Sequence, residues 1–202
     1  GTGVDDFRFE QVIIEENMRH GDPGFYIHLH SDLVAPYISK LGNEEQQARF
    51  MPGVVSGETI LAVAMTEPSA GSDLAGMRTR AVDMGDHWLL NGSKTYISNA
   101  ILSDLVVVAA RTDPDKPHGI SLFFVERGMD GFERGGKLAK MGLKSQDTAE
   151  LFFNDLRIPR ENLIGEPGHG FRYLQRLLAQ ERLVAAIACL AAAQAAFDLT
   201  LD

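Results

Sequence analysis

Hydrophobic and polar positions follow three different periods along the chain. Apolar residues recur every three or four positions in residues 7–59 and again from residue 171 onward, which predicts helices. Residues 60–160 instead hold short apolar or alternating runs, which predict strands. We therefore expect three parts: helices in residues 1–59, a β domain in residues 60–162 and a helix in residues 163–202.

Three helices are predicted in the first part. The first ends at the turn-forming sequence His-Gly-Asp-Pro-Gly of residues 20–24. Ser31 is the predicted N-cap of the second helix, and Pro36 should kink it. Asn and Gln at the two ends of residues 43–46 have the spacing of a capping box for the third helix, which Pro-Gly at residues 52–53 should close.

Seven short strands are predicted in the second part. Turn signals rich in Gly, Pro, Asn and Asp separate them, such as Asn91-Gly92 and the sequence of residues 84–86. Many short strands at such spacing are typical of an antiparallel barrel or sandwich. The predicted strands are residues 60–65, 78–82, 88–91, 95–98, 105–110, 120–125 and 149–153.

A long helix is predicted after the glycine-rich residues 165–170. From Leu183 it is apolar on nearly all sides, which predicts burial among other helices, and we expect those helices to lie outside this chain. The longest unbroken apolar run, residues 183–193, is too short for a membrane span, so none is expected. The chain begins without Met and stops inside a helical pattern, so we expect it to be part of a longer protein.

Composition narrows the class of protein. Of 202 residues, 45% are hydrophobic and 23% are charged, which is typical of a folded chain. Acidic residues outnumber basic ones by 28 to 19, and this balance argues against a general nucleic-acid binder. The single cysteine, Cys189, excludes an internal disulfide, and the histidines do not have metal-ligand spacing.

Glu181 is the one carboxylate on the apolar stripe of the last helix. A buried carboxylate is costly unless it is paired or protonated, and burial moves its pKa toward the range of a general base. The alternative interpretation is an ion pair with Arg172, Arg176 or Arg182 of the same helix.

Two further segments hold polar groups where a ligand can bind. Residues 66–73, Thr-Glu-Pro-Ser-Ala-Gly-Ser-Asp, follow a predicted strand and combine hydroxyls with small residues. Their free backbone N–H groups can hold a planar cofactor or a phosphate, and an ordinary capped turn explains the pattern equally. Tyr96 and Ser98 share one face of a strand, where they can flank a ring or form an ordinary cross-strand pair.

Taken in order, four segments resemble the acyl-CoA dehydrogenase family. TEPxAGSD followed by NGxKxxISN is highly specific for it, and HGISLFFVE and LAQERLVAA are most similar to its long-chain branch. The resemblance covers essentially the whole chain, which corresponds to about half of a family member. The segments are LGNEEQQARFMPGVVSGE, AMTEPSAGSDLAGMRTRA, LLNGSKTYISNA and KMGLKSQDTAELFFNDLRIPRENLIGEPGHGF.

The resemblance implies an α+β fold of N-terminal helices, a middle antiparallel β-barrel or sandwich domain and the start of a C-terminal helical bundle. It also implies FAD between the β domain and the bundle, and no metal. The implied reaction converts fatty acyl-CoA to trans-2-enoyl-CoA: Glu181 removes the α-proton, and a hydride passes to flavin N5. Electron-transferring flavoprotein is the implied acceptor, the longer parent is a dimer or tetramer, and the location is the bacterial cytoplasm or the mitochondrial matrix.

The resemblance assigns site residues position by position. Glu181, within the sequence Ala-Gln-Glu-Arg-Leu, matches the catalytic base. The residues matching cofactor contacts are Val63, Met65, Thr66, Gly71, Ser72, Tyr96, Ile97 and Ser98. The residues matching substrate contacts are Ser72, Pro117, His118, Arg172, Gln180 and Arg182.

The family segments that hold the adenine half of FAD are absent from these 202 residues. We therefore expect the chain alone to bind FAD weakly or not at all. Two alternatives stay open: a non-catalytic truncated module that binds FAD or acyl-CoA, and a relative of the acyl-CoA oxidases. Reaction of the reduced flavin with oxygen would separate an oxidase from a dehydrogenase.

Overall fold

The computed structural model describes residues 6–20 and 24–201. Three helices come first, eight strands follow, and a long helix closes the chain, in the predicted order. A π-helical segment, Leu29–Val34, leads directly into the second helix. The helices are α1 (Arg8–His20), α2 (Ala35–Ser39), α3 (Glu44–Ser56) and α4 (Gly170–Leu201). The strands are β1 (Leu61–Ala64), β2 (Arg80–Asp83), β3 (His87–Ser98), β4 (Leu105–Arg111), β5 (Ile120–Glu126), β6 (Phe132–Arg134), β7 (Thr148–Pro159) and β8 (Leu163–Ile164).

All eight strands form one sheet in the order β6-β7-β3-β2-β4-β5-β8, with β1 paired to β4. Most pairs are antiparallel, but β4 runs parallel to β1 and, at Arg80 and Arg111, to β2. The α+β class and the middle β domain are therefore confirmed, with a mixed sheet. Because β8 pairs with β5, strand pairing continues past the predicted boundary at residue 162, and that boundary stays a prediction.

Two apolar clusters lie on opposite faces of the sheet. Successive residues of β4 alternate between them, because neighbouring side chains of a strand point to opposite faces. Val107 joins the helix-side cluster with Tyr37, Phe50 and Leu174. Val106 joins the interior cluster, which the strands themselves enclose. The helices thus pack against one face of the sheet.

The π-helical segment that precedes α2 begins earlier than the predicted second helix. Ser31 is not an N-cap, because it lies inside the π-helical segment that starts after His28. Pro36 lies in the first turn of α2, directly after the π-helical segment, and the expected kink is instead a change from π to α geometry. α1 ends at His20 as predicted, and residues 21–23 of its predicted stop signal lie outside the described residues.

The third helix has the predicted capping box but not the predicted end. The Asn43 side chain accepts from the Gln46 amide, and the Gln46 side chain accepts from the Asn43 amide. The helix continues through Pro52 and ends at Gly57, whose φ of 80° provides a left-handed C-cap. A proline removes one internal hydrogen bond, whereas the glycine supplies the conformation that stops the helix.

β3 is one strand of twelve residues rather than the two that were predicted. Asn91-Gly92 is not a hairpin turn, because the register with β7 shifts there by a bulge. Gly92 has a φ of 147°, and a Cβ at this position would collide with Thr79. The extra residue of this bulge is on β7, which extends to residue 159 along β3, and the two strands stay paired on both sides of it.

α4 packs against other helices of this chain, contrary to the expectation that all its partners lie outside. Ile14 and Met18 of α1 pack against Val184 and Ala188. Much of the remaining surface of α4 is apolar and exposed, as at Phe197. α4 is long and apolar enough to cross a membrane. This is weak evidence for a membrane span, because the core helix of a soluble protein can have the same length and composition. The absence of a membrane span stays a prediction.

Candidate active site

Glu181 lies on the side of α4 that meets α2. The Tyr37 hydroxyl donates a hydrogen bond to its Oε1 atom at 3.0 Å. Burial raises the pKa of the Glu181 carboxyl above its ordinary value, and the Tyr37 hydrogen bond and the charge of Arg182 oppose this effect. Within the described part of the chain Glu181 forms no ion pair, so the arginine pairing weighed from the sequence is not observed.

Gln180, predicted to bind substrate, is occupied by contacts within the chain. Its side-chain oxygen accepts from Lys40 Nζ at 3.1 Å. Its amide nitrogen donates to the main-chain oxygen of Asp32 at 3.1 Å. These bonds fix α4 against α2 and the π-helical segment. Gln180 does not line the groove described next, and its substrate contact stays a prediction.

A groove of about 290 Å³ runs beside this region. Ser72 and Arg182, both predicted substrate contacts, lie on its walls although they are 110 positions apart in the sequence. Leu178 also lines it and precedes Glu181 by three residues, so both side chains lie on one face of α4. The full lining is Ser72, Leu74, Phe171, Leu174, Gln175, Leu178 and Arg182.

The other predicted substrate contacts lie at one end of this groove or beyond it. The exposed His118 ring stacks on the Phe171 ring with centroids 4.0 Å apart. Arg172 is exposed and follows Phe171 in the chain, and Pro117 is exposed beside His118. His118 is therefore brought to the groove through Phe171, whereas the structure does not place Pro117 or Arg172 on its lining.

The predicted flavin residues of β1 and β3 share the helix side of the sheet. Val63 and Met65 are partly exposed and pack against the helix-side cluster. Tyr96 is 71% exposed and Ser98 is half-buried. Ile97 belongs to the interior cluster, so its side chain is turned away from this face, and its cofactor contact stays a prediction that its backbone would have to fulfil.

The backbone is strained where β3 reaches this face. Tyr96 has a φ of 57°, and the register with β7 shifts between Lys94 and Ile97. Residues other than glycine rarely adopt this backbone conformation, and those that do are concentrated at functional sites. The side chains of Thr66 and Ser98 form no hydrogen bond with any described residue, so their hydroxyls are available to the polar edge of a planar ring. This donor set, with an exposed aromatic ring beside it, fits an isoalloxazine.

The exposed loop residues Gly71 and Ser72 lie between β1 and β2. Asp73 caps the short 3-10 turn that follows by accepting from the Ala75 amide at 3.0 Å. An Asx-type cap is thus present, as the ordinary-turn interpretation expected. Since Ser72 also lines the groove, the capped turn and a ligand-binding role are compatible.

A buried ion pair supports the start of this loop. Lys94 Nζ donates to Glu67 Oε1 at 2.8 Å and to the Met65 carbonyl at 3.0 Å. Glu67 also accepts from the Arg78 and Thr79 amides at 2.7 and 3.0 Å. Burial lowers the pKa of Lys94 to about 8, while Glu67 counteracts this shift. The pair therefore ties β3 to the chain segment that carries Met65 and Thr66.

The sequence interpretation missed Tyr37 and Lys94. Lys94 has the same strand phase as the buried residues Trp88 and Leu90, and this periodicity was a usable signal for its burial. Glu67, its partner, stands in the loop already singled out. No sequence signal pairs Tyr37 with Glu181, because a contact across 144 positions depends on how the helices pack.

Comparisons with known proteins match two parts of the chain to one family. The family model described as "Acyl-CoA dehydrogenase, N-terminal domain" matches residues 1–58. The model described as "Acyl-CoA dehydrogenase, middle domain" matches residues 62–156. The long-chain specific acyl-CoA dehydrogenase of Mus musculus mitochondria is 53% identical over 181 residues. The mitochondrial isovaleryl-CoA dehydrogenase of Pongo abelii is 37% identical over 204 residues.

A solved structure of an acyl-CoA dehydrogenase from Geobacillus kaustophilus superposes with a TM-score of 0.95 at 53% identity. The match covers 99% of this chain and 53% of that one. The matches to the mouse and Pongo proteins cover 88% and 100% of this chain but 42% and 48% of the relatives. The chain thus spans about half the length of the curated relatives that it matches.

Proposed function

Because this chain belongs to the acyl-CoA dehydrogenase family, we propose that it supplies the base and part of the flavin and thioester sites of a fatty acyl-CoA dehydrogenase. The observation that carries the proposal is the position of Glu181. A half-buried carboxylate, with no ionic partner among residues 6–20 and 24–201, lies next to a groove walled by Ser72 and Arg182. The reaction is dehydrogenation of the thioester to trans-2-enoyl-CoA.

FAD is the proposed cofactor, and it would accept a hydride from the substrate β-carbon. The Thr66 and Ser98 hydroxyls would hold its polar edge, and Tyr96 would flank the ring. Val63 and Met65 would provide an apolar surface, with backbone contacts from Ile97 and the loop around Gly71 and Ser72. The Lys94–Glu67 pair would keep the segment before this loop in place.

Glu181 is the proposed base for the substrate α-proton. A proton next to a thioester is weakly acidic, so the base must be held close to it and shielded from water. Burial supports this role because it raises the pKa of the carboxyl. Packing of α4 against α2 and the π-helical segment keeps the base in place.

The proposed substrate is a fatty acyl-CoA. Ser72 and Arg182 on the groove offer a hydroxyl and a cation for its polar part, and His118 extends the surface through its stack on Phe171. The proposed electron acceptor is an electron-transferring flavoprotein. The proposed assembly is a dimer or tetramer of the longer protein, in the bacterial cytoplasm or mitochondrial matrix.

The test is a visible spectrum, recorded without oxygen, of the longer FAD-loaded protein that contains this chain, before and after a long-chain acyl-CoA is added. Bleaching of the flavin is expected, and Glu181→Gln should abolish it while flavin stays bound. Near-normal bleaching in this variant would place the base elsewhere. Flavin that is retained but never reduced would favour a non-catalytic binding module instead.

A further inference from the structure

Tyr37 is the residue of α2 that touches the proposed base. Its hydroxyl donates to Oε1 of Glu181 at 3.0 Å. The Tyr37 side chain is fully buried in the helix-side cluster, so packing holds the ring and its hydroxyl in one place. Among residues 6–20 and 24–201, Oε2 of Glu181 receives no hydrogen bond.

The phenol of Tyr37 acts as a donor and keeps its own proton. Burial is the main reason that the pKa of Tyr37 lies well above its usual range, and the charge of Glu181 raises it further. A hydrogen bond donated to a carboxylate stabilises the ionised form of the acid. Tyr37 thus opposes burial, which favours the protonated form of Glu181.

Other charged groups face this region without bonding to the carboxylate. Arg182 on α4 lowers the pKa of Glu181 through its charge alone. From α2, Lys40 is bound to the side chain of the preceding residue, Gln180. From the π-helical segment and α1 come Asp32 and Glu10, which interact with each other electrostatically. Tyr37 is the hydrogen-bond donor to Glu181 in the described structure.

We infer that Tyr37 is a positioning residue for Glu181, an inference that rests on the proposed function: its hydroxyl holds Oε1 and leaves Oε2 to take the α-proton. In that step the α C–H bond breaks and an O–H bond forms at Oε2. The electron pair of the broken bond forms the new C=C bond as the β-carbon gives its hydride to FAD. Tyr37 neither gains nor loses a proton.

The first measurement is a titration of Glu181 in the 202-residue chain, followed by the NMR shift of its carboxyl carbon and assigned with Glu181→Gln. Tyr37→Phe removes one oxygen and keeps the ring. We expect the pKa of Glu181 to rise by about one unit in this variant, since the ionised form loses its donor. An unchanged titration would overturn the inference.

The second measurement is the pH profile of flavin reduction in the FAD-loaded protein. A higher pKa of the base moves the acid limb to higher pH. Below the midpoint of the pH profile, flavin reduction in Tyr37→Phe should therefore be about tenfold slower than in the wild type. On the alkaline plateau the two rates should agree within about threefold. A uniform loss at every pH would indicate a merely structural role and would also count against the inference.

Tyr173→Phe is the matched control, because its hydroxyl bonds the Glu166 amide and does not touch Glu181. It should leave both readouts unchanged. If Tyr37→Phe fails to fold, 3-fluorotyrosine at position 37 keeps ring and hydroxyl but donates more strongly, and it should lower the pKa of Glu181.

The failures of the two proposals are distinguishable. If Glu181→Gln still permits flavin reduction, the proposed base is wrong, while a shifted carboxyl titration still establishes the Tyr37 contact. If Glu181→Gln is inactive and neither the titration nor the pH profile responds to Tyr37→Phe, the base role stands and the inference about Tyr37 fails.

Discussion

At the residue scale, the site depends on ionisable groups whose environments differ sharply. Lys94 and Glu67 are both buried and satisfy each other, with main-chain groups completing their hydrogen bonds. Glu181 is only partly buried and has one neutral donor. The first pair therefore fixes the backbone of the candidate flavin loop, whereas the lone carboxylate retains the capacity to take a proton.

Lys94→Met tests the buried pair. Loss of one partner leaves the Glu67 charge buried without its cation, which costs about 3–5 kcal/mol of the free energy of unfolding. Urea unfolding monitored by circular dichroism measures it. The matched control is Arg49→Met, which breaks the more exposed ion pair with Glu126 and should cost under about 1 kcal/mol. Equal losses would contradict a special role for the buried pair.

Asp32→Asn tests a carboxyl whose ionisation destabilises the fold. Burial, followed by the charge of Glu10, raises the pKa of Asp32 from 3.8 to about 6. Between these values the folded chain retains a proton that the unfolded chain has lost, so the free energy of unfolding falls as pH rises through this window. The variant should be more stable by about 1 kcal/mol at pH 7, allowing for solvent screening, and unchanged near pH 3.5. Thermal unfolding at the two pH values measures this, and a gain of the same size at both would contradict it.

At the element scale, two register shifts between β3 and β7 link the fold to the site. Between Leu90 and Gly92 the extra residue lies on β7, whereas between Lys94 and Ile97 it lies on β3, where Tyr96 has a φ of 57° at the candidate flavin face. An uninterrupted strand would keep strict alternation along its whole length, whereas bulges redirect side chains and increase the local twist. The exposure of Tyr96 thus depends on a bulge, and the two short strands predicted from the sequence did not include one.

Gly92→Ala, compared with Gly85→Ala, tests the close approach of β3 to Thr79 beside the first register shift. Both glycines have positive φ, but a Cβ at Gly85 meets nothing within 4 Å, whereas one at Gly92 collides with Thr79. We expect a loss of about 3 kcal/mol in the free energy of unfolding for Gly92→Ala and about 1 kcal/mol for Gly85→Ala. Chemical denaturation of both variants measures the difference, and similar losses would show that the close approach to Thr79 is relieved cheaply.

At the scale of the whole molecule, α4 connects the sheet to the other helices. Its first half covers the helix side of the sheet through Leu174 and Leu177, and α1 covers part of its second half. The apolar surface that remains exposed is large enough to favour association. The groove and Glu181 lie where α4 meets the rest of the chain, so their geometry depends on how α4 packs against it.

Phe197→Glu tests association through the second half of α4. Phe197 is 58% exposed, and a charge there should lower the fraction of self-associated chain. Thr200→Glu adds the same charge at a polar exposed position of the helix and should change little. Sedimentation velocity at several concentrations measures both, and identical profiles would show that association does not involve Phe197.

The sequence by itself determined the order of the elements, the capping box at Asn43 and the family. These signals are local, because a cap or a periodic stripe depends on residues within a few positions of one another. It also indicated Glu181, since one carboxylate on an apolar helical stripe is conspicuous without any structure.

Only the tertiary structure decided what surrounds these residues. The donation from Tyr37 to Glu181, the salt bridge between Lys94 and Glu67 and the shared groove of Ser72 and Arg182 join positions from 27 to 144 residues apart. Such contacts arise from the angle and register at which packed elements meet, which depend on the whole core rather than on any local pattern. The sequence therefore indicates which residues carry the chemistry, and packing selects their partners.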